Sequence, residues 1–134
     1  MTFNTTILCI DDDVDDMALI QEAIRLHETD FDVIEAKNGE QAIAYLNEAK
    51  TNGGLPCLII MDINMPKMDG KKAIQLIKAD KDLRSIPLVV FTTSSNGADK
   101  RYFELYNVQC ITKPSHYSAF TQKVSEMLSQ ISNR

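Results

Sequence analysis

Short apolar runs alternate along the chain with segments in which apolar residues recur at helical spacing. The runs that we predict as strands are Ile7–Ile10, Phe31–Ala36, Cys57–Met61, Pro87–Phe91 and Val108–Thr112. A helix is predicted after each of them, and the fourth, over about residues 96–106, has the weakest apolar periodicity. Parallel strands joined by right-handed crossovers bury both faces of their sheet. We therefore predict an α/β fold with a five-stranded, doubly wound parallel sheet and helices on both faces.

The third predicted strand leads directly into one carboxylate. Leu58–Met61 is continuously apolar, Asp62 follows it, and Pro66 and Gly70 mark a tight loop beyond. The pattern indicates a buried strand that presents Asp62 at its end. A carboxylate in this position can cap a helix, bind a metal ion or act as a nucleophile, and this stretch alone leaves all three open.

Polar residues also follow the other predicted strands. With Asp62, the residues at these strand ends are Asp11, Asp12, Thr92 and Lys113. Each has a structural explanation, because acids and hydroxyls cap helices, and we assign that role to Asp13. In an open parallel sheet, however, ligands bind at the carboxyl ends of the strands. Because all of these residues are predicted at the carboxyl edge of the sheet, we predict a functional site there.

Converging carboxylates need a cation. Two of them repel by on the order of 4 kcal/mol at a separation near 4 Å and an effective dielectric constant of about 20. Lys113 supplies one positive charge, and Mg²⁺ held by carboxylates and a backbone carbonyl would supply two more. Such a site suits phosphoryl transfer, with Asp62 attacking phosphorus to form an aspartyl phosphate and Mg²⁺ and Lys113 neutralising charge.

These residues resemble those of the response regulator receiver domain. The motifs that carry the resemblance are Asp11-Asp12, Asp62 within Asp-x-x-Met-Pro-x-Met-Asp-Gly, Thr92, and Lys113-Pro114. The match spans the whole chain. Among receivers, the chain most resembles stand-alone ones, including those paired with phytochrome-type sensor kinases. The resemblance implies a single receiver domain over residues 1–134, with the flavodoxin-like strand order 2-1-3-4-5, in a two-component phosphorelay.

The family's site residues are carried over to matching positions here. The resemblance implies that Asp62 accepts a phosphoryl group from a histidine kinase and that Asp12, Asp62 and the Asn64 backbone carbonyl bind Mg²⁺. It assigns a metal-bound water to Asp11, and phosphoryl-oxygen contacts to Thr92 and Lys113. Asn64 and Ser94 would tune the loss of the phosphoryl group to water. Cys110 departs from the pattern, since many receivers have a switching Tyr or Phe at this position.

We expect the output to be a changed protein surface, with slow autodephosphorylation but no enzymatic turnover. Nothing follows Arg134 in the sequence, so we expect the signal to leave by binding a downstream protein or by passing the phosphoryl group to a phosphotransfer protein. The predicted surface comprises the fourth helix and the last strand and helix. The same face is a candidate homodimer contact.

Three other functions match the sequence less well. A metal-dependent phosphohydrolase also forms an aspartyl phosphate, but it commonly needs an acid/base carboxylate where this chain has Asn64. A nucleotide- or flavin-binding module lacks its main signal, because the sequence contains no GxGxxG and no Gly-Lys-Ser/Thr motif. A degenerate receiver that binds partners without phosphorylation is disfavoured, because every required group is present.

Composition and charge limit the partners and the cellular location that we expect for the protein. The chain has 134 residues and a formal net charge of −5 without a basic stripe, so we expect no nucleic-acid binding. It has no signal-peptide pattern and no apolar run of membrane-spanning length, which predicts a cytoplasmic protein without membrane association. Cys9, Cys57 and Cys110 lack metal-binding spacing and are predicted to be buried, reduced thiols.

Overall fold

The computed structural model of the chain describes residues 5–63, 70–93 and 97–132. Within these ranges, strands and helices alternate without exception. They are β1 (Thr6–Ile10), α1 (Val14–Arg25), β2 (Asp32–Ala36), α2 (Gly39–Asn52), β3 (Leu58–Met61), α3 (Gly70–Ala79), β4 (Leu88–Thr92), α4 (Gly97–Leu105), β5 (Gln109–Thr112) and α5 (Tyr117–Ser132). These bounds agree with the predicted elements to within a few residues.

The five strands form one parallel sheet in the order β2-β1-β3-β4-β5. This confirms the predicted fold class and strand order. The order reverses between β1 and β3, because the chain first adds β2 on one side of β1 and then adds all later strands on the other. A reversal of this kind opens a crevice at the carboxyl ends of the strands. Asp11 and Asp62 follow the two strands that border it.

Successive side chains of the central strands enter opposite hydrophobic clusters. Leu8 and Ile10 of β1 pack with α2, α3 and α4, whereas Ile7 and Cys9 pack with α1 and α5. The strands β3 and β4 alternate in the same way. We call the side covered by α1 and α5 the α1/α5 face. Because side chains alternate with a period of two, the number of positions between a residue and its strand determines the face to which its side chain points.

Local capping explains where the helices near the site begin. Asp13 has an extended backbone, and its side chain accepts a hydrogen bond from the Asp16 N–H at 3.0 Å, which makes it the N-cap of α1. The predicted capping role of Asp13 is therefore confirmed. At the start of α3, Gly70 donates its N–H to the Ile63 carbonyl at 3.3 Å. A Cβ at position 70 would lie 2.6 Å from the Ile63 Cα, so only glycine fits there without displacement of the backbone.

The sequence interpretation is corrected at two of the cysteines. Of the cysteines predicted to be buried, only Cys9 is; Cys57 and Cys110 are partly exposed, although all three are free thiols. Cys57 precedes β3, and Cys110 lies on the edge strand β5, where one side of the strand has no neighbour. An apolar run alone does not distinguish an edge strand from a central one.

Among the residues that the structure describes, no helix is both long and apolar enough to cross a membrane.

Candidate functional site

Backbone hydrogen bonds align the strand ends that carry the predicted site residues. The Asp62 N–H donates to the Ile10 carbonyl at 2.9 Å, which places Asp62 beside the end of β1. The Lys113 N–H donates to the Thr92 carbonyl at 2.8 Å and joins the ends of β5 and β4 in the same way. Continuation of the sheet ladder beyond the last strand residues therefore brings Asp11, Asp62, Thr92 and Lys113 to one edge.

The same four residues are the polar or charged side chains that are buried in the described part of the chain. The exposed fractions of the whole residues are 4% for Asp11, 9% for Asp62, 0% for Thr92 and 7% for Lys113. Buried charges are rare unless they are paired, because they lose the hydration of the unfolded chain. Their restriction to one edge of the sheet identifies the candidate site.

Lys113 links the acidic residues of this site. Its Nζ donates to Asp11 Oδ2 at 2.7 Å, to Asp16 Oδ2 at 2.7 Å and to Asp62 Oδ2 at 3.1 Å. Asp11 is held a second time, because its Oδ1 accepts the Asp13 N–H at 2.9 Å. Asp11, Asp62 and Lys113 each stand two positions after a strand residue that packs on the α1/α5 face. The alternation of side chains along a strand therefore directs them to that face, which explains why the ammonium also meets the first turn of α1.

The pKa shifts follow from burial and from these contacts. Burial acts to lower the pKa of Lys113, but the hydrogen bonds from its ammonium to Asp11 and Asp16 outweigh this effect and raise the pKa above its ordinary value. Burial raises the pKa of Asp11, while the hydrogen bonds from Lys113 and from the Asp13 N–H oppose the rise. Lys113 therefore remains cationic at neutral pH and supplies a fixed positive charge beside Asp62.

Three carboxylates could hold a metal ion. One oxygen from each of Asp11, Asp12 and Asp62 lies within 4.8 Å of the others. Asp12 is exposed at the mouth of this group and has no hydrogen bond or ion pair to any described residue. A set of hard carboxylate oxygens that also faces water fits Mg²⁺, which retains several of its waters when bound to proteins. Of the predicted metal ligands, Asn64 lies outside the described residues.

Asp16 is the site residue that sequence reasoning missed. It is the third residue of α1, and its side chain reaches a lysine 97 positions away in the sequence. Helical side chains point toward the N-terminus of their helix, so an acid in the first turn leans back toward the preceding strand end. The available signal in the sequence is the acidic pair Asp15-Asp16 in the first turn of α1.

Of the remaining predicted positions, Cys110 lies within the described residues. Cys110 pairs with Val90 across β4 and β5 and is half-buried against the cluster that includes α4. Ser94 and the turn over residues 65–69 lie outside the described residues. A cleft of about 300 Å³ opens beside the acidic group between α1 and the end of β2, with Asp12, Met17 and Glu35 in its lining. This cleft gives solvent access to the carboxylates.

The comparisons agree with this geometry. The family model for the response regulator receiver domain matches residues 7–125. The chain therefore belongs to the response regulator receiver domain family of two-component signalling. Receiver domains of this family are generally not enzymes. The resemblance drawn from the strand-end motifs is thus confirmed at the level of the family.

Individual relatives point to one group of receivers. The response regulator Rcp1 from Synechocystis sp. is 38% identical over 95 residues, which cover 69% of this chain and 65% of Rcp1. The solved structure of the phosphorylated cyanobacterial phytochrome response regulator RcpA is 34% identical, with a TM-score of 0.87 over 93% of this chain and 91% of that chain. The structure of Mn²⁺-bound Rcp1 is 33% identical, with a TM-score of 0.86 over 93% and 92%. The match to the Rcp1 sequence thus spans slightly under two thirds of its length.

Proposed function

We propose that a histidine kinase phosphorylates this chain on Asp62 and that the phosphorylated form signals through contacts with other proteins. The observation that carries the proposal is the burial of Asp11, Asp62, Thr92 and Lys113 together at the carboxyl edge of the sheet, beside its switch point. Receiver domains are phosphorylated by histidine kinases, and the similar protein RcpA has been solved in a phosphorylated form. Because histidine kinases use ATP, we propose that the exchange takes place in the cytoplasm.

Asp62 acts as the nucleophile in this proposal. One of its carboxylate oxygens bonds to phosphorus while the phosphorus–nitrogen bond to the kinase histidine breaks. The imidazole nitrogen keeps the bonding electron pair, so a carboxylate nucleophile needs no general base. Lys113 would neutralise the charge that develops on the phosphoryl oxygens, and its contact with Asp62 Oδ2 at 3.1 Å supports this role. The buried Thr92 hydroxyl would donate to another of these oxygens.

Asp11, Asp12 and Asp62 would hold a Mg²⁺ ion, with Asp11 acting through a bound water. When bound, this ion supplies positive charge to the phosphoryl oxygens and orients them. The oxygen donor set supports the choice, as does the Mn²⁺-bound form of the similar protein Rcp1. The Asn64 carbonyl remains a predicted further ligand. The predicted effect of Asn64 and Ser94 on hydrolysis likewise remains a prediction.

We assign the surface that would bind a downstream protein to α4, β5 and α5. The strand β5 is an edge strand with Gln109 and Thr112 exposed, and Leu105 at the end of α4 is 84% exposed. This face adjoins Thr92 and Lys113, so a shift of either residue on phosphorylation would reach it. Light scattering with and without beryllium fluoride, a stable phosphoryl mimic, tests whether the face forms a homodimer. A molar mass that does not change with beryllium fluoride would exclude phosphorylation-dependent homodimerisation and favour a different protein as the partner.

Phosphorylation itself is tested by intact mass. The protein is incubated with Mg²⁺ and a small acyl phosphate, and its mass is followed over time. We expect one phosphoryl-sized gain in the wild type and none in Asp62→Asn. Asp13→Asn is the matched control, because it removes a charge at the same strand edge and keeps a good N-cap residue. A folded wild type without any gain, or a gain that persists in Asp62→Asn, would contradict the proposal.

A further inference from the structure

The ammonium of Lys113 has all of its donors engaged. A lysine carries three N–H donors, and three carboxylate oxygens accept from Lys113: those of Asp11, Asp16 and Asp62. A phosphoryl oxygen on Asp62 would need one of these donors. Phosphoryl transfer at this site therefore requires one of the present contacts to lengthen or break.

The three contacts are not equally secure. Asp11 is 2% exposed at its side chain and is also fixed by the Asp13 N–H. The Asp62 side chain is 11% exposed and carries the reaction itself. Asp16 is 25% exposed, so water can solvate its carboxylate most readily once the contact is lost. Asp16 is therefore the partner that Lys113 can release at least cost.

Asp16 also draws the ammonium away from the reacting oxygen. Lys113 Nζ lies 2.7 Å from Asp16 Oδ2 but 3.1 Å from Asp62 Oδ2. A charged hydrogen bond at 2.7 Å is of the short, strong kind, whereas 3.1 Å is near the upper limit for such contacts. Asp16 lies on α1 and is not in the group of three carboxylates that could hold a metal ion. Its negative charge would also oppose the charge of an incoming phosphoryl group.

We infer that Asp16 is a positioning residue that shares the Lys113 ammonium and thereby slows the transfer of a phosphoryl group to Asp62. This inference rests on the proposed function, since it takes Asp62 as the acceptor. When the Asp16 carboxylate is removed, Lys113 regains a donor for the phosphoryl oxygens. Loss of this acid therefore accelerates the reaction, whereas loss of a supporting residue in an active site would slow it.

The test compares two neighbouring acids of the same helical turn. Asp16→Asn and Asp15→Asn remove the same charge near the N-terminus of α1, but Asp15 is exposed and has no ion pair to a described residue. The mass gain with a small acyl phosphate is followed in saturating Mg²⁺ over a range of donor concentrations. Asp16→Glu returns a carboxylate within reach of Lys113 and serves as the conservative variant.

The limiting rate of Asp16→Asn is expected to exceed that of Asp15→Asn by roughly threefold to fivefold, the effect of losing one part-exposed ion pair. The half-saturating donor concentration should be the same in both variants. Each variant loses one negative charge from the same helical turn, so electrostatic repulsion of the anionic donor falls equally in both. Asp16→Glu should bring the rate back down. If Asp16→Asn did not fold, Asp16→Ser would supply the same test.

Three results would overturn the inference. They are a limiting rate of Asp16→Asn equal to or below that of Asp15→Asn, a difference confined to the half-saturating concentration, and a rate for Asp16→Glu that stays as high as that for Asp16→Asn. Failure of the proposed function is distinct: the wild type would gain no mass, or Asp62→Asn would still gain it. That result would overturn the inference as well.

Discussion

The backbone N–H of Lys113 donates to the carbonyl of Thr92 at 2.8 Å, so the two side chains proposed to hold phosphoryl oxygens leave neighbouring strands at the same level. This bond continues the ladder in which Thr92 pairs with Thr112. The backbone from which the ammonium extends is thus held by the sheet. Residues built on strands are held more rigidly than residues on loops.

Lys113→Met tests how far the ammonium stabilises the acidic site. The substitution leaves Asp11 and Asp62 buried without their counter-charge, so we expect the free energy of unfolding to fall by about 3–5 kcal/mol in EDTA. Mg²⁺ should restore more stability to this variant than it adds to the wild type, because it replaces the missing charge. Urea unfolding in EDTA and in Mg²⁺ measures both effects.

The control is Lys123→Met, which removes a 45% exposed lysine paired with Glu126 at 3.6 Å on α5. Its unfolding free energy should change by less than about 1 kcal/mol in either buffer. An equal loss of stability for Lys113→Met in EDTA and in Mg²⁺ would contradict the electrostatic account.

Asp12→Asn tests the metal site. Asp12 contributes an exposed carboxylate to the group of three, so its loss lowers the charge available to a divalent cation without emptying a buried position. We expect the Mg²⁺ dissociation constant to rise about tenfold, since affinity at such sites follows the number of charged ligands. Titration calorimetry of Asp12→Asn against Asp13→Asn gives the comparison. Equal affinities in the two variants would remove Asp12 from the proposed ligand set.

Gly70→Ala tests the close approach of α3 to the residue after Asp62. The new Cβ would lie 2.6 Å from the Ile63 Cα, and a backbone atom cannot rotate away. We expect a loss of about 1–3 kcal/mol in unfolding free energy, together with slower phosphorylation because Ile63 and Asp62 must shift. In the control Gly54→Ala, the nearest atom is the flexible Asn52 Oδ1 at 3.1 Å. Equal stabilities of the two variants would show that the backbone near Asp62 adapts freely.

Cys9 gives a prediction for alkaline pH. Burial raises the pKa of its thiol from 9.0 to about 12, so the folded state holds this proton more tightly than the unfolded state. The associated stability is complete below pH 9 and is lost as the pH rises toward about 12. Unfolding free energies measured across this range should fall more steeply for the wild type than for Cys9→Ala. Parallel curves would mean that the buried thiol does not contribute.

Much of this architecture can be predicted because buried parallel strands leave a simple sequence signal. Four apolar residues before Asp62 identify β3, and equivalent runs place Asp11, Thr92 and Lys113 at the same edge of the sheet. Asp16 could not be assigned in the same way, because its contact with Lys113 depends on the direction in which the first turn of α1 leaves the sheet. Apolarity also failed to separate Cys9, at the centre of the sheet, from Cys110 at its edge.

The alternation of side chains along the strands determines which faces of the sheet would respond to a modification at Asp62. Thr92 continues the series Leu88 and Val90, which packs against α2, α3 and α4. Asp62 and Lys113 instead continue the series of alternate residues that pack on the α1/α5 face. A group bound between them would lie between side chains that belong to opposite faces of the sheet. One covalent event can then be sensed from either side of the sheet, so that an incoming kinase and an outgoing target need not compete for the same surface.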